Sequence, residues 1–349
     1  MNLFSPLTVG DYELKNRIVM APMTRARADA QGIQSPLAIE YYSARAGAGL
    51  LISEGIAPSA MGLGYARTPG IYTDAQVASW RPVTDAVHAK GGKIFLQIMH
   101  VGRIAHSANR TIAGPPVAPS AIQAAGQMWT DSQGMQPNDT PRALETSEIP
   151  SVIAEFSQAT RNALQAGFDG VELHSASGYL PHEFLSPHSN HRTDAYGGSI
   201  ENRIRFVLET LAAIIAAAGS PGKVGMKISP GMKFNDIGEE DPMPTYLALA
   251  AAITPMKLAY LHIMRTGIGA ETALREAYKG TLLIGGGFKK EEATKTLEAG
   301  GADAIVFGTS YLANPDLVKR LQTDAPLNAP NQATFYTPGP KGYTDYPLL

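Results

Sequence analysis

GFDGVELHSASGYLPHEFLSPHSNHRTDAYGGSIENRIR, residues 167–205, is the stretch that decides the fold of this chain. Its residues Gly170–His174 form a short apolar run bounded by glycine and by turn-forming residues, a pattern typical of an internal parallel strand. Ser199 is a suitable helix N-cap, and the residues after it predict a helix that runs to about residue 218. The stretch therefore predicts a strand, an irregular loop and a helix, in that order.

Three side chains that could take part in catalysis lie within six residues of each other at the carboxyl end of the predicted strand: His174, Ser177 and Tyr179. In an α/β barrel, the carboxyl ends of the strands carry the catalytic side chains. A single histidine there is more often a structural group, and a tyrosine beside a glycine often only packs. Because the three occur together at one strand end, we interpret them as candidate site residues.

The strand-then-helix pattern repeats eight times along the chain. The predicted strands are 17–22, 50–53, 93–99, 170–174, 224–229, 258–263, 281–285 and 304–308. The predicted helices are 35–46, 74–89, 147–166, 199–218, 244–253, 271–278, 289–299 and 313–322. Since parallel strands need crossover helices, eight units predict an α/β fold of the closed (β/α)8, or TIM barrel, type. The alternative, an open doubly wound sheet, leads one to expect Gly-x-Gly-x-x-Gly after the first strand, and the sequence has none there.

Two segments fall outside this repeat. Residues 7–16 predict an N-terminal hairpin with Gly10-Asp11 at its turn. Residues 103–145, after the third strand, are rich in Pro, Ala, Gly and Gln and lack periodicity. A connection of that length is uncommon unless it is functional or forms a subdomain. We therefore predict one barrel domain, 1–349, with 103–145 as a capping insertion.

Composition excludes several classes of function. The chain has 349 residues, a formal net charge of -2 and no cysteine. Without a sustained basic patch, nucleic acid is not an expected partner. Without cysteine, disulfides, thiolate metal sites and a cysteine nucleophile are excluded. Neither a signal peptide pattern nor a membrane span is visible, so the expectation is a soluble cytoplasmic protein.

Glycine clusters follow the last two predicted strands. Gly285, Gly286 and Gly287 end the seventh strand, and Gly308 ends the eighth. In barrels, the loops after these two strands often bind a phosphate group through backbone N–H groups, and glycine allows close approach. The alternative is that they are only turns, but their position favours phosphate binding.

Other polar residues lie at the carboxyl ends of predicted strands: Thr24, Gln97, His100 and Lys227. Gln97 in an apolar strand needs a hydrogen-bond partner from a ligand or a neighbour. Lys227 in a buried strand needs an anion or a lowered pKa. Together with the glycines, these residues outline a pocket for a flat polar heterocycle with a phosphate tail. No set of His, Asp and Glu has the spacing of a metal site.

The chain resembles the old yellow enzyme family, the FMN-dependent ene-reductases, along nearly its whole length. The matching motifs are Leu3-Phe-Ser-Pro6, Lys15-Asn-Arg-Ile18, Ala21-Pro-Met-Thr-Arg25, Gly167-Phe-Asp-Gly-Val-Glu-Leu-His174, Gly178-Tyr-Leu180, Phe184-Leu185, Asn190, Arg192-Thr-Asp194, Tyr196-Gly-Gly-Ser-Ile-Glu-Asn-Arg203, Ala313-Asn-Pro-Asp-Leu317 and Gly342-Tyr-Thr-Asp-Tyr-Pro347. The family fold is the same barrel with a capping subdomain. The resemblance leaves the oligomeric state open, with a homo-oligomer among the expected arrangements.

The resemblance implies FMN across the barrel mouth and NADPH (or NADH) as the reductant. The implied contacts to the flavin ring are Pro22, Thr24 and Gln97, with Lys227 at the ring's N1/C2 carbonyl edge. The implied phosphate cradle is Gly286, Gly287 and Gly308, followed by Thr309.

An α,β-unsaturated carbonyl compound is the substrate that the resemblance implies. His174 and Ser177 would bind its oxygen, Tyr336 would line its site, and Tyr179 would protonate its α-carbon. The flavin carries the hydride chemistry in such a scheme, while the protein directs donors at the developing enolate.

Three residues depart from the family pattern. Ser177 replaces the usual Asn or His, Lys227 replaces an arginine and loses its fork geometry, and Thr309 replaces the phosphate-binding arginine. The last change removes a charge-assisted bond of about 1.5–3 kcal/mol, or roughly ten- to over a hundredfold in dissociation constant. Three functions stay open at this point: a working ene-reductase, a biosynthetic relative with reductase or isomerase activity, and a binding protein that has lost FMN.

Overall fold

The N-terminal hairpin of the chain is present where the sequence predicts it. The computed structural model describes all residues, 1–349. The hairpin consists of β1 (Leu7–Val9) and β2 (Tyr12–Leu14), paired antiparallel. Val9 and Leu14 pack with buried side chains of the barrel interior, among them Phe95 and Tyr260. The hairpin therefore covers the end of the barrel at which the strands begin, and the opposite end is left for a site.

Eight parallel strands form a closed barrel, which confirms the predicted fold class. In chain order the barrel strands are β3 (Ile18–Met20), β4 (Leu50–Ile56), β5 (Ile94–Ile98), β10 (Gly170–Ser175), β11 (Val224–Ile228), β12 (Tyr260–Met264), β13 (Leu282–Gly285) and β14 (Ala304–Phe307). The last strand pairs with the first, and every residue of β10 and β11 is buried. Strands covered on both faces need the nearly continuous apolar runs that the sequence shows.

Ten helices surround the barrel and its carboxyl end. They are α1 (Leu37–Ser43), α2 (Asp74–Ala89), α3 (Ile149–Gln165), α4 (Leu180–Leu185), α5 (Ile200–Ala218), α6 (Met243–Ile253), α7 (Ala270–Ala277), α8 (Lys290–Glu298), α9 (Thr309–Ala313) and α10 (Leu317–Thr323). The predicted α2 matches its observed bounds, and α5 begins after its predicted N-cap, Ser199. None of the ten combines the length and the apolar character needed to cross a bilayer.

Two helix predictions need correction. The helix predicted over 313–322 is α10, which begins only at Leu317, and the short helix α9 before it, which ends at an extended Asn314, was not predicted. Asn314 precedes Pro315, and a residue before proline is driven out of helical geometry. The short helix α4 was not predicted. Its six residues are all buried, so they show no apolar face.

The segment 103–145 contains four short strands: β6 (Val117–Ala118), β7 (Gln127–Thr130), β8 (Gly134–Pro137) and β9 (Arg142–Ala143). β7 and β8 form an antiparallel hairpin, and β6 pairs with β9. Ala124 and Met128 of this segment belong to a small apolar cluster that also contains Tyr179. The segment therefore contacts the loop that follows β10.

Gly225 in β11 has no room for a side chain, because the ring of Tyr260 occupies the place that a Cβ would need. We expect Gly225→Ala to lower the free energy of unfolding by about 1–3 kcal/mol, as overpacking does. Gly47 is the control, since no atom lies within 4 Å of its Cβ position. Urea unfolding of both variants should separate them. Equal stability of Gly225→Ala and Gly47→Ala would contradict this packing.

Candidate active site

A buried carboxylate joins three strands beneath the open end of the barrel. Glu172 on β10 accepts a hydrogen bond from Gln97 Nε2 on β5 at 2.7 Å. Its other oxygen lies 2.9 Å from Nδ1 of His262 on β12. Burial lowers the pKa of His262 against the opposing effect of Glu172, and a neutral ring with its proton on Nδ1 satisfies this contact. Gln97 thus obtains its partner from a neighbour.

Lys227 on β11 lies beside His174 in the strand register. Its side chain is buried, and its ammonium group makes no hydrogen bond or ion pair with the protein. Burial lowers the pKa of Lys227, and the nearby Glu172 opposes this shift. A buried cation without a partner is costly, so the position suits the negative edge of a ligand.

The rings of His174 and Tyr179 meet edge to face, with centroids 4.9 Å apart and planes at 86°. Both side chains are buried, and His174 Nδ1 has no hydrogen-bond partner. Burial, and then Lys227, hold the pKa of His174 well below its ordinary value. Burial also holds the pKa of Tyr179 well above its ordinary value. The site therefore offers a neutral imidazole and a protonated phenol side by side.

The turn between these two residues is fixed by side chains from a distant loop. Ser177 has a left-handed backbone, with φ of 58°. Its N–H donates to Ser229 Oγ at 2.9 Å, and its carbonyl accepts from Asn235 Nδ2 at 2.8 Å. The hydroxyl of Ser177 itself makes no hydrogen bond with the protein and is partly exposed. Ser177 is therefore held by its backbone and presents a free hydroxyl.

The next residue of the turn, Gly178, is held by a side chain of α4. The N–H of Gly178 donates to His182 Nδ1 at 3.1 Å, and His182 Nε2 lies 2.8 Å from the hydroxyl of Tyr246 on α6. Burial lowers the pKa of His182 to about 3. A neutral His182 accepts at Nδ1 and donates at Nε2, so both contacts are satisfied. This places Tyr179 at the N-terminus of α4.

The hydroxyl of another tyrosine, Tyr65, lies beside that of Tyr179, and the sequence pattern did not predict this contact. The hydroxyls of Tyr179 and Tyr65 are 3.2 Å apart, and Asn235 Nδ2 is 3.5 Å from the Tyr65 hydroxyl. Tyr65 lies in an irregular loop after β4, and no periodicity marks it. His262 could have been found, because a lone polar residue in an apolar strand is the signal that identified Gln97 and Lys227.

The two glycines after β13 form a turn with positive φ that is open at Gly287. Gly286 and Gly287 have φ of 123° and 80°, and no atom lies within 4 Å of the Cβ position of Gly287. Gly308 follows the neighbouring strand β14, and Thr309 is exposed at the start of α9. Backbone N–H groups in such a turn suit an anion.

Pro22 and Thr24 lie in the loop after β3, and both are partly exposed at the open end of the barrel. The hydroxyl of Thr24 makes no hydrogen bond with the protein, so it is free for a ligand. The adjacent Arg25 is buried, and its N–H donates to the carboxylate of Glu54 at 3.1 Å. This contact fixes the loop.

Tyr336, in the C-terminal tail, lies at the rim rather than in the buried part of the site, with 61 % of its surface exposed. Arg67 Nη2 donates to its carbonyl at 2.9 Å. Burial is the main cause of the raised pKa of Tyr65 and Tyr179, and Tyr336 is a lesser cause for both. The three tyrosines therefore share the mouth of the site.

Two arginines hold this tail through its main chain. The guanidinium of Arg27 donates to carbonyl oxygens of the tail, and that of Arg25 does the same. The accepting carbonyls belong to Thr334, Phe335, Gly339, Lys341 and Gly342. The loop that carries Thr24 therefore also fixes the segment that carries Tyr336.

Comparisons with known proteins agree on one family. Residues 2–328 match the model of the NADH:flavin oxidoreductase / NADH oxidase family. The chain is 45 % identical to a probable flavin mononucleotide-dependent alkene reductase of Leishmania infantum, covering 99 % of this chain and 97 % of that protein. It is 40 % identical to 12-oxophytodienoate reductase 2 of Arabidopsis thaliana, covering 99 % and 96 %.

Solved structures give the same result. An old yellow enzyme homologue from Zymomonas mobilis superposes with a TM-score of 0.97 at 40 % identity and covers 100 % of both chains. Morphinone reductase in complex with tetrahydroNAD superposes with a TM-score of 0.96 at 42 % identity, covering 100 % of this chain and 98 % of that one.

Glu183 on α4 predicts a pH dependence of stability. Burial raises the pKa of this carboxyl to about 8 against the effect of Arg103, and its Oε2 has no partner. The pKa of Glu183 is therefore higher in the folded protein than in the unfolded chain. The stability that the protonated carboxyl contributes is complete below the unfolded-state pKa, and it is lost as the pH rises through the folded-state pKa. Between pH 5 and pH 8 we expect a loss on the order of 2–4 kcal/mol.

Glu183→Gln keeps the shape of the side chain but cannot ionise, so it should remove this loss. Chemical unfolding of both proteins at pH 5 and at pH 8 measures the difference. Glu40→Gln, at an exposed position of α1, is the matched control. A pH dependence that persists unchanged in Glu183→Gln would show that another group causes it.

Proposed function

This chain belongs to the NADH:flavin oxidoreductase / NADH oxidase family, and we propose that its reaction takes place at His174 and Tyr179. It is an FMN-dependent ene-reductase of the old yellow enzyme family, which reduces the carbon–carbon double bond of α,β-unsaturated carbonyl compounds with NAD(P)H. The observation that carries the residue assignment is the edge-to-face pair of a neutral imidazole and a protonated phenol. Of the three functions left open by the sequence, family membership supports the ene-reductase.

The residues at the open end of the barrel fit FMN. Lys227 is a buried cation without a partner, and Thr24 has a free hydroxyl. Gly286 and Gly287 have positive φ, and the space beside Gly287 is open. These features match a flavin ring with a polar edge and a phosphate tail. We therefore assign the ring contacts to Pro22, Thr24, Gln97 and Lys227, and the phosphate contacts to Gly286, Gly287, Gly308 and Thr309.

Bound FMN supplies the hydride chemistry, taken up from NAD(P)H and given to the β-carbon of the alkene. Lys227 lies beside His174 in the strand register and close to Glu172, and it would hold the polar edge of the flavin and offset negative charge there. Gln97 is oriented by its bond to Glu172. One of its two amide N–H groups is thereby engaged, so its other N–H and its carbonyl oxygen are left for a ligand.

His174 binds the substrate's carbonyl oxygen in this proposal. As a neutral imidazole it has one N–H to donate, and its position next to Lys227 increases the positive potential at that oxygen. A donor directed at an oxygen that gains negative charge stabilises the enolate-like transition state more than the substrate. Ser177 adds a short hydroxyl donor on the same side of the site.

Tyr179 is the proton donor to the α-carbon. Its raised pKa keeps it protonated at neutral pH, so the acid form is always the one present. Tyr65 and Asn235 hold its hydroxyl group and the turn before it. The tail residue Tyr336 and the segment 103–145 border this position, and we propose that the segment caps the bound substrate.

A cytoplasmic location is the setting that we propose for this reaction. It suits a reaction that consumes reduced nicotinamide nucleotides, which cells keep inside. The homo-oligomer raised by the resemblance stays a prediction, and sedimentation of the purified protein tests it.

Tyr179→Phe should separate the two halves of the reaction. Alkene reduction should slow by about 10²–10⁴-fold, because the general acid is lost. Reduction of the bound flavin by NADPH needs no such proton and should keep its rate. Anaerobic stopped-flow absorbance of the flavin measures each half separately. Equal slowing of both halves would mean that Tyr179 has a structural role instead.

Ser177→Asn should strengthen substrate binding. Asparagine tolerates the left-handed backbone found at Ser177, and its amide adds a longer donor beside His174. One added hydrogen bond predicts a KM lowered by roughly 3- to 10-fold, with a smaller change in kcat. Ser177→Gly, which accepts the same φ but carries no donor, is the control. If both variants have the same KM, the side chain at 177 does not contact the substrate.

A further inference from the structure

The phosphate end of the cofactor site has no cation where the family pattern places one. A phosphate monoester carries about -1.5 to -2 charges at neutral pH, and Thr309 is a neutral, exposed residue. Glycine N–H groups alone leave this charge only partly balanced. Another cation close to Gly286 and Gly287 would balance the rest.

Arg265, at the carboxyl end of β12, lies directly against this glycine loop. Its N–H donates to the carbonyl of Gly285 at 2.9 Å, and its Nη2 donates to the carbonyl of Gly286 at 2.8 Å. A Cβ on Gly286 would be only 2.9 Å from Cβ of Arg265. The strand register puts Met264 beside Gly285, so Arg265 is level with Gly286. The guanidinium is thus attached to the loop itself.

The partners of Arg265 leave it able to bind an anion. Its guanidinium lies over the ring of Phe288, 3.6 Å from the ring centre, and this contact orients the guanidinium group. Its ion pair is with Glu292, whose side chain is 49 % exposed. An exposed ion pair contributes about 0–1 kcal/mol, and a guanidinium has five N–H donors. A phosphate dianion can therefore compete with Glu292 for this group.

We propose that Arg265 supplies the cation for the FMN phosphate, from β12 instead of from the position after Gly308. This proposal rests on the FMN site assigned above. Guanidinium binds phosphate with two parallel hydrogen bonds, which a single point charge cannot do. Glu292 holds the guanidinium near the loop until the phosphate arrives.

Lys289 is the competing candidate, because it is exposed in the same loop and its side chain makes no hydrogen bond or ion pair. Lys290, next to it, is paired with Asp324. The choice between Arg265 and Lys289 rests on the contact with Gly286, which only Arg265 makes. A direct comparison of the two variants decides between them.

The test uses the full chain with its flavin removed, and two probes: FMN and riboflavin, which has the same ring system without the phosphate. Quenching of flavin fluorescence gives the dissociation constant of each. Arg265→Ala should weaken FMN about 10- to 100-fold and leave riboflavin unchanged. Thr309→Arg added to Arg265→Ala should recover FMN affinity, because it restores a cation from the neighbouring strand.

Arg275→Ala is the matched control. Arg275 is as exposed as Arg265 and forms a part-buried ion pair, with Asp303, at the opposite end of the barrel, so its loss should leave both dissociation constants unchanged. Unchanged FMN affinity in Arg265→Ala, an equal loss for riboflavin, or a loss in Lys289→Ala alone would overturn the proposal. Failure of the unaltered chain to bind either flavin would instead overturn the assigned FMN site.

Discussion

The carboxylate of Glu172 is the group on which the rest of the site depends. It lies on β10, the strand that also carries His174, and it accepts hydrogen bonds from Gln97 on β5 and His262 on β12. Without such an acceptor, Gln97 and His262 would be buried polar groups without partners, at a cost of about 1–3 kcal/mol each. These two polar side chains are therefore satisfied inside the barrel because three strands meet at this one carboxylate.

Much of the fold was predictable because strands and helices leave periodic patterns in the sequence. The eight strands appear as short apolar runs, and the barrel follows from their number and alternation. The missed details were local. Pro315 delays the start of α10 to Leu317, four residues after the predicted start, and α4 is buried on every side. In both places the pattern lacks the information that tertiary packing or a single proline supplies.

The candidate site likewise contains residues that the sequence reveals and residues that only the structure reveals. Residues at strand ends, such as His174 and Lys227, were found because a polar group in an apolar strand is visible in the sequence. Tyr65 and Asn235 were missed because they come from separate loops and meet Tyr179 only in three dimensions. Two departures from the family, Ser177 and Thr309, have side chains without protein partners. Changes there affect a ligand and leave the fold intact, since no internal contact is lost.

The attachment of the C-terminal tail to Arg25 and Arg27 has a consequence for how this enzyme can diversify. Every hydrogen bond that the two guanidinium groups donate to the tail goes to a main-chain carbonyl oxygen. Both guanidinium groups also lie over the buried ring of Tyr343, but neither contacts the side chain of Tyr336, so the tail's attachment does not depend on that residue. Mutation can therefore exchange the side chains at the rim while the backbone stays in register. Substrate preference can then drift between lineages without any compensating change in the barrel.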